Sequence, residues 1–300
     1  MIERTNLYDQ IAWNKRKAVL LVLLFIPIVV GLGWLFGRLS GLGNFGLVLA
    51  VFISVILSIV SYWYSDSIVL SASGAQPADP KEFRKLHEIV EDISIASGTP
   101  KPRVFVINDA AINAFATGRD PQHAAIAVTT GALEKLNRQE LEGVIAHELS
   151  HVKNFDIRFM AVVAVLVGIV VLLGDWLLRA SFLGGRRDDR EGGKGGAALF
   201  ALGIILGILM PIFAQLIRLA VSRRREFLAD SDGALLTRNP EGLANALRKI
   251  QSDGNQLKAA SNATAHLYFA NPFKNRNWLS NLFSTHPPIE ERIRRLESSA

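Results

Sequence analysis

The chain has 300 residues, half of them hydrophobic, with a formal net charge of +6 and no cysteine. That length suits one large or two smaller soluble domains, but the apolar residues are gathered into long uncharged runs, which excludes such an arrangement. The positive charge collects at the edges of those runs, where it favours anionic lipid. Nothing in it resembles a nucleic-acid footprint.

Residues 1–17 form a polar tail with Arg4, Lys15, Arg16 and Lys17. Ala18 to Gly37 is an uncharged run of 20 residues and Leu39 to Ser65 one of 27. A span takes about 20 apolar residues, so 18–65 is expected to hold two transmembrane helices. The first run is too long for a cleaved signal peptide and leads straight into the second. Only Arg38 lies between the two, so the basic residues predict a cytoplasmic tail and a return to the cytoplasm at Asp66. The lack of cysteine agrees with a reducing compartment.

The first polar part, 66–158, opens with Asp79-Pro80, which predicts a helix with the stripe Phe83, Leu86, Val90 and Ile93, closed by Gly98. Strands are expected at 103–107, 113–118 and 124–133, the last two parted by a turn at 119–122. Asn137 and Glu140 predict a capping box at the start of the next helix. Uncharged runs then cover 159–174 and 195–217, parted by "GGRRDDREGGKGG" at 184–196, a solvated and flexible loop. The first of these reaches spanning length only by including Asp175, up to Leu178. In the second polar part, 218–300, Asn239-Pro240 opens a helix with Leu243, Leu247 and Ile250 on one face. "HPPIEERIRRL" (286–296) begins a last helix.

The helix capped by Asn137 carries H-E-x-x-H. His147 and His151 are four residues apart, so one helical face offers both imidazoles to one ion, with Glu148 beside the open position. Leu141, Val144, Ile145, Leu149 and Val152 are available for packing. A catalytic zinc needs a third protein ligand. "SRRREFLAD" (222–230) supplies Glu226, with Asp230 one turn later, placed to accept the second N–H of a ligating histidine. A surface salt bridge to Arg223 or Arg224 is the alternative.

With these motifs the chain resembles the HtpX-type membrane zinc metalloproteases, a family that also includes the CAAX prenyl proteases. The resemblance rests on "HELSH" (147–151), "EFLAD" (226–230), "NAFATG" (113–118), "STHPPIEERI" (284–293) and the order of four apolar runs. It implies one zinc per chain on His147, His151 and Glu226, Glu148 as catalytic base, and an active site facing the cytoplasm. It further implies a multi-pass protein of the cell membrane that degrades misfolded or damaged membrane proteins. The expected architecture is a mainly α integral membrane protein with an α+β zincin-type catalytic domain, built from 66–158 and 218–300. The four apolar helices come in two pairs.

In such a site, zinc brings a water's pKa toward about 7, and Glu148 takes the proton and passes it to the leaving amine. Asn113, Ala114, Phe115 and Ala116 are expected to form an edge strand that holds substrate by backbone pairing, an interior strand being the alternative. His286, stiffened by the two prolines after it, is the expected oxyanion donor, with a capping or packing role as its alternative and Tyr268 as a substitute. His87, His123 and His266 read as structural or solvated. An intramembrane protease would carry the motif inside an apolar span, but Glu140, Glu142, Lys153, Asn154, Asp156 and Arg158 surround it, which puts it in water at the membrane surface. A non-catalytic zinc scaffold does not need Glu148, and a zinc transporter needs ionisable groups inside its spans.

Overall fold

The computed structural model describes residues 43–169, 223–261, 263–272 and 286–298, and parts of 12–34. Helix α1 (Gly43–Trp63) leads into α2 (Ser65–Ala72), followed by β1 (Gln76–Pro77), α3 (Arg84–Ser97), β2 (Arg103–Ile107), β3 (Ala114–Thr117) and β4 (Ala125–Thr129). Then come α4 (Thr130–Lys135), α5 (Arg138–Lys153) and a helix over 156–169, here α6. The carboxy-terminal part adds α7 (Arg223–Thr237), α8 (Pro240–Ser252) and α9 (Ile289–Glu297).

Four strands make a mixed sheet in the order β1-β2-β4-β3, with β2 and β4 parallel and the other two pairings antiparallel. β3 and β4 are buried along their whole length, because both sheet faces are covered. Ala114, Ala116, Ile126 and Val128 point into a core shared with α3, α5, α8 and α9. Phe115, Ala125 and Ala127 point the other way, into a cluster with Phe159, Met160, Val163 and Leu166 of α6. This two-sided burial is why these strands read as continuous apolar runs.

Gly98 closes α3 in the left-handed conformation, as expected, with φ of 69°. Of the boundaries that differ from the sequence reading, two are displaced by four residues. The helix expected to open at Asp79-Pro80 starts at Arg84, because the Asp79 side chain accepts from the Lys81 N–H and holds the chain in a turn. The strand expected over 124–133 stops at Thr129, whose hydroxyl oxygen accepts from the Ala132 N–H and caps α4.

Of the expected apolar helices, α1 and α6 fall among the described residues. α1 exposes Phe45, Val48, Phe52 and Ile59, whereas α6 is buried against the sheet. Among the described residues no single helix is long and apolar enough to cross a membrane. The pair Val51–Trp63 and Ser65–Ala72, bent by 80°, meets that requirement together by length and composition. The tail and first run are described only in part, most continuously over 18–24. The remainder of the third run, the loop 184–196 and the fourth run lie outside the described residues.

Candidate metal centre

The capping box at the start of α5 is complete: Asn137 Oδ1 accepts from the Glu140 N–H at 2.9 Å, and Glu140 Oε2 accepts from the Asn137 N–H at 2.8 Å. From that start, one helical face carries His147, Glu148 and His151 into the interior, where all three are buried. α7 brings the third group. Glu226 lies in its first turn, also buried. Close approach of the two helices depends on Gly233: a Cβ there would come within 3.1 Å of the His147 nitrogen and 3.4 Å of its Cα.

One donor atom from each of His147, His151 and Glu226 lies within 4.8 Å of the other two. The two Nε2 atoms are 3.2 Å apart. His147 Nε2 is 3.7 Å from Glu226 Oε2, and His151 Nε2 is 3.5 Å from Glu226 Oε1. The far side of each ring faces a carboxylate. His147 Nδ1 is 2.9 Å from Asp230 Oδ1, and His151 Nδ1 is 3.1 Å from Asp156 Oδ2. A carboxylate only accepts, so it draws the ring proton to Nδ1 and leaves the lone pair on Nε2. With both imidazoles neutral, two lone pairs and an anionic carboxylate converge in a buried space, and Glu226 Oε2 has no hydrogen-bond partner there. Such a convergence is repulsive unless a cation fills it, so the donor set fits zinc.

The electrostatics point the same way. Burial alone would raise Glu226, but the imidazoles of His147, His286 and His151 hold it well below the usual carboxylate range. Burial alone would depress His151, but the hydrogen bond to Asp156 and the charges of Glu226, Asp156 and Glu148 push it up to about 9. The pocket thus favours positive charge. Burial raises Glu148, and the imidazoles of His147 and His151 offset this only in part.

Glu148 Oε2 accepts from the Ala116 N–H of β3 at 2.7 Å. β3 is the outer strand of the sheet, as the substrate-strand reading requires. Its outward side is engaged: Ala114 O accepts from the Phe269 N–H at 2.8 Å, and Nδ2 of Asn113, the residue before the strand, donates to Ala270 O at 3.0 Å. Phe269 also sets its ring edge-on to His147, with centroids 4.8 Å apart. His286 reaches the cluster, with Nε2 3.9 Å from Glu226 Oε2. Its burial pushes it down to about 4, against the pull of Glu226, which makes it a neutral imidazole. Tyr268 packs on Phe115 and donates to Ala259 O at 3.4 Å.

Three groups escape sequence reasoning: Asp156, Arg225 and Arg292. Arg292 is fully buried and grips Asp230 through Nε at 2.8 Å and Nη2 at 2.7 Å, while Nη1 donates to Phe269 O at 2.9 Å. Arg225 donates to Asp156 Oδ1 at 3.0 Å. The polar residues read as a solvated surround of the motif are partly interior: Glu140, Asn154 and Asp156 are buried, and Glu140 is paired with Lys249. The other histidines are structural. His87 and His266 bond the carbonyls of Ala78 and Met160, and His123 faces Asp120.

Two histidines one turn apart on one helix, a carboxylate from a second and a glutamate set beside an outer strand make the donor arrangement of an H-E-x-x-H metallopeptidase. Residues 80–300 match peptidase family M48. The chain belongs to that family and is a zinc metalloprotease. It is 48% identical over 301 residues to "Protease HtpX homolog" of Caldanaerobacter subterraneus subsp. tengcongensis, covering 99% of each chain. It is 45% identical over 300 residues to the protein of that name from Thermoanaerobacter pseudethanolicus, again with 99% coverage of each. Among solved structures, Ste24p of S. mikatae matches 90% of this chain and 62% of its own, with a TM-score of 0.51 at 19% identity. That likeness concerns the fold, and the chain spans about three fifths of that structure's length.

Proposed function

We propose that the chain is a membrane-bound endopeptidase that hydrolyses peptide bonds of misfolded or damaged membrane proteins on the cytoplasmic side. One zinc per chain is held by His147, His151 and Glu226, and the observation that carries this reading is the convergence of their donor atoms in a buried pocket beside Glu148. Zinc bound there would polarise the scissile carbonyl and acidify water. Glu148, raised by burial, accepts the proton of the attacking water and hands it to the amine nitrogen as the C–N bond breaks. His286, neutral and close to Glu226, donates a hydrogen bond to the oxygen on which negative charge develops. Asp230 fixes the tautomer of His147. An extended substrate pairs with β3 at Asn113, Ala114, Phe115 and Ala116, exchanging the bonds those residues now make to the Phe269 segment and to Glu148.

The membrane reading is supported by the exposed apolar surface of α1, by the uncharged runs and by the basic tail, which together favour a multi-pass protein of the cell membrane. The test is the purified protein in detergent, assayed for zinc content and self-cleavage with the metal removed and then restored. Cleavage that vanishes and returns with zinc supports the reading. Cleavage indifferent to chelation contradicts it.

A further inference from the structure

α5 ends at Lys153, but the chain does not run on directly into α6. Phe155 adopts φ of 58°, a left-handed conformation that residues other than glycine rarely take. The turn carries Asp156 back under the His151 ring, where the aspartate is buried. Its two oxygens are divided: Oδ2 lies 3.1 Å from His151 Nδ1, and Oδ1 accepts from Arg225 Nη1 at 3.0 Å. Arg225 directly precedes Glu226. The same order of groups stands behind the other histidine, where Asp230 faces His147 Nδ1 and is gripped by Arg292. Each imidazole is therefore backed by its own aspartate–arginine pair, drawn from different parts of the chain.

We infer that Asp156 is a positioning residue that fixes the ring and tautomer of His151 for metal binding. Arg225 completes the device by anchoring Asp156 and by tying the helix that carries Glu226 to the turn after His151. A buried ion pair is a weak means of holding two helices together, since apolar residues do this as well or better. Its carboxylate, however, faces the one ring nitrogen that must carry the proton if Nε2 is to present a lone pair. The inference rests on His147, His151 and Glu226 binding zinc.

The test uses the full chain in detergent, stripped of metal. Zinc affinity is measured by competition with a chromophoric chelator, coordination by the visible spectrum of the cobalt(II) form, and folding by the melting temperature of the metal-free protein. D156N should weaken zinc binding about 10- to 100-fold, the usual effect of removing an outer partner of a ligand, and should alter the cobalt spectrum. R225Q should weaken it less, with R225K between R225Q and wild type. If D156N does not fold, R225Q decides, because Arg225 is partly exposed and its loss leaves room for solvent. Wild-type zinc affinity and an unchanged cobalt spectrum in folded D156N, or in R225Q where it decides, would overturn the inference and leave the pair as a tie between helices. Equal zinc binding by wild type and H151A would instead overturn the metal site itself.

Discussion

Replacing Arg292 by methionine removes a fully buried guanidinium that makes two hydrogen bonds to Asp230, at 2.8 and 2.7 Å, and one to Phe269 O at 2.9 Å. Asp230 is itself buried, and Arg292 is the main group that opposes the effect of burial and holds its carboxyl at about 2. The variant leaves that carboxylate with His147 as its principal partner. Removing one member of a buried pair costs about 3–5 kcal/mol, so R292M should melt on the order of 10 °C below wild type. Lysine at this position keeps the charge but loses the planar fork, so R292K should fall between the two. The assay is thermal unfolding of the metal-free protein in detergent, followed by tryptophan fluorescence. A double variant, D230N/R292M, should be less destabilised than the sum of the single ones, because it removes the orphaned charge. Melting of R292M within 2 °C of wild type would instead make Arg292 dispensable to the core.

Removing the imidazole of His286 should leave zinc and KM intact while turnover falls by about 100- to 1,000-fold, roughly 3 to 4 kcal/mol. Steady-state kinetics with metal analysis check this, and turnover within a few-fold of wild type returns His286 to a structural role. Burial pushes His266 down to about 4 from the ordinary histidine value of 6.5. Its folded form is the less readily protonated, so it supports the fold fully above about pH 6.5, and that support, about 3 kcal/mol, drains away as pH falls toward 4. H266Q should flatten the acid limb of the stability curve in denaturant titrations, and an unchanged limb would count against the assignment. Single cysteines in the amino tail and at Ser181, labelled with an impermeant reagent on intact cells, test topology. The expected pattern is a protected tail and a labelled 181, and outside labelling of the tail overturns the orientation.

The features legible in the sequence are those written locally. Asn137 and Glu140 announce their helix by a capping box, and His147, Glu148 and His151 are read from their spacing on it. Glu226 and Asp230, far along the chain, are paired with them by the need for a third ligand and by their one-turn spacing, a weaker signal than H-E-x-x-H. Thr129 and Thr130 misled, because threonine suits a strand and caps a helix equally well, and only the hydroxyl bond to Ala132 separates the two. The aspartate–arginine pairs stayed hidden for a different reason. Asp156 beside basic residues reads as a solvated charge, and nothing near it reveals that Arg225, 69 residues away, will share its burial. Arg292 lies 145 residues from His147 on a helix whose charges mostly face solvent.

In the proposed mechanism Glu148 moves the proton while the two histidines hold the metal. The measurement is zinc per chain together with cleavage rate for E148Q, H147A and H151A, purified side by side. E148Q should retain one zinc and lose hydrolysis, whereas H147A and H151A should lose both. Cleavage by E148Q at the wild-type rate, or full zinc in either histidine variant, would contradict it.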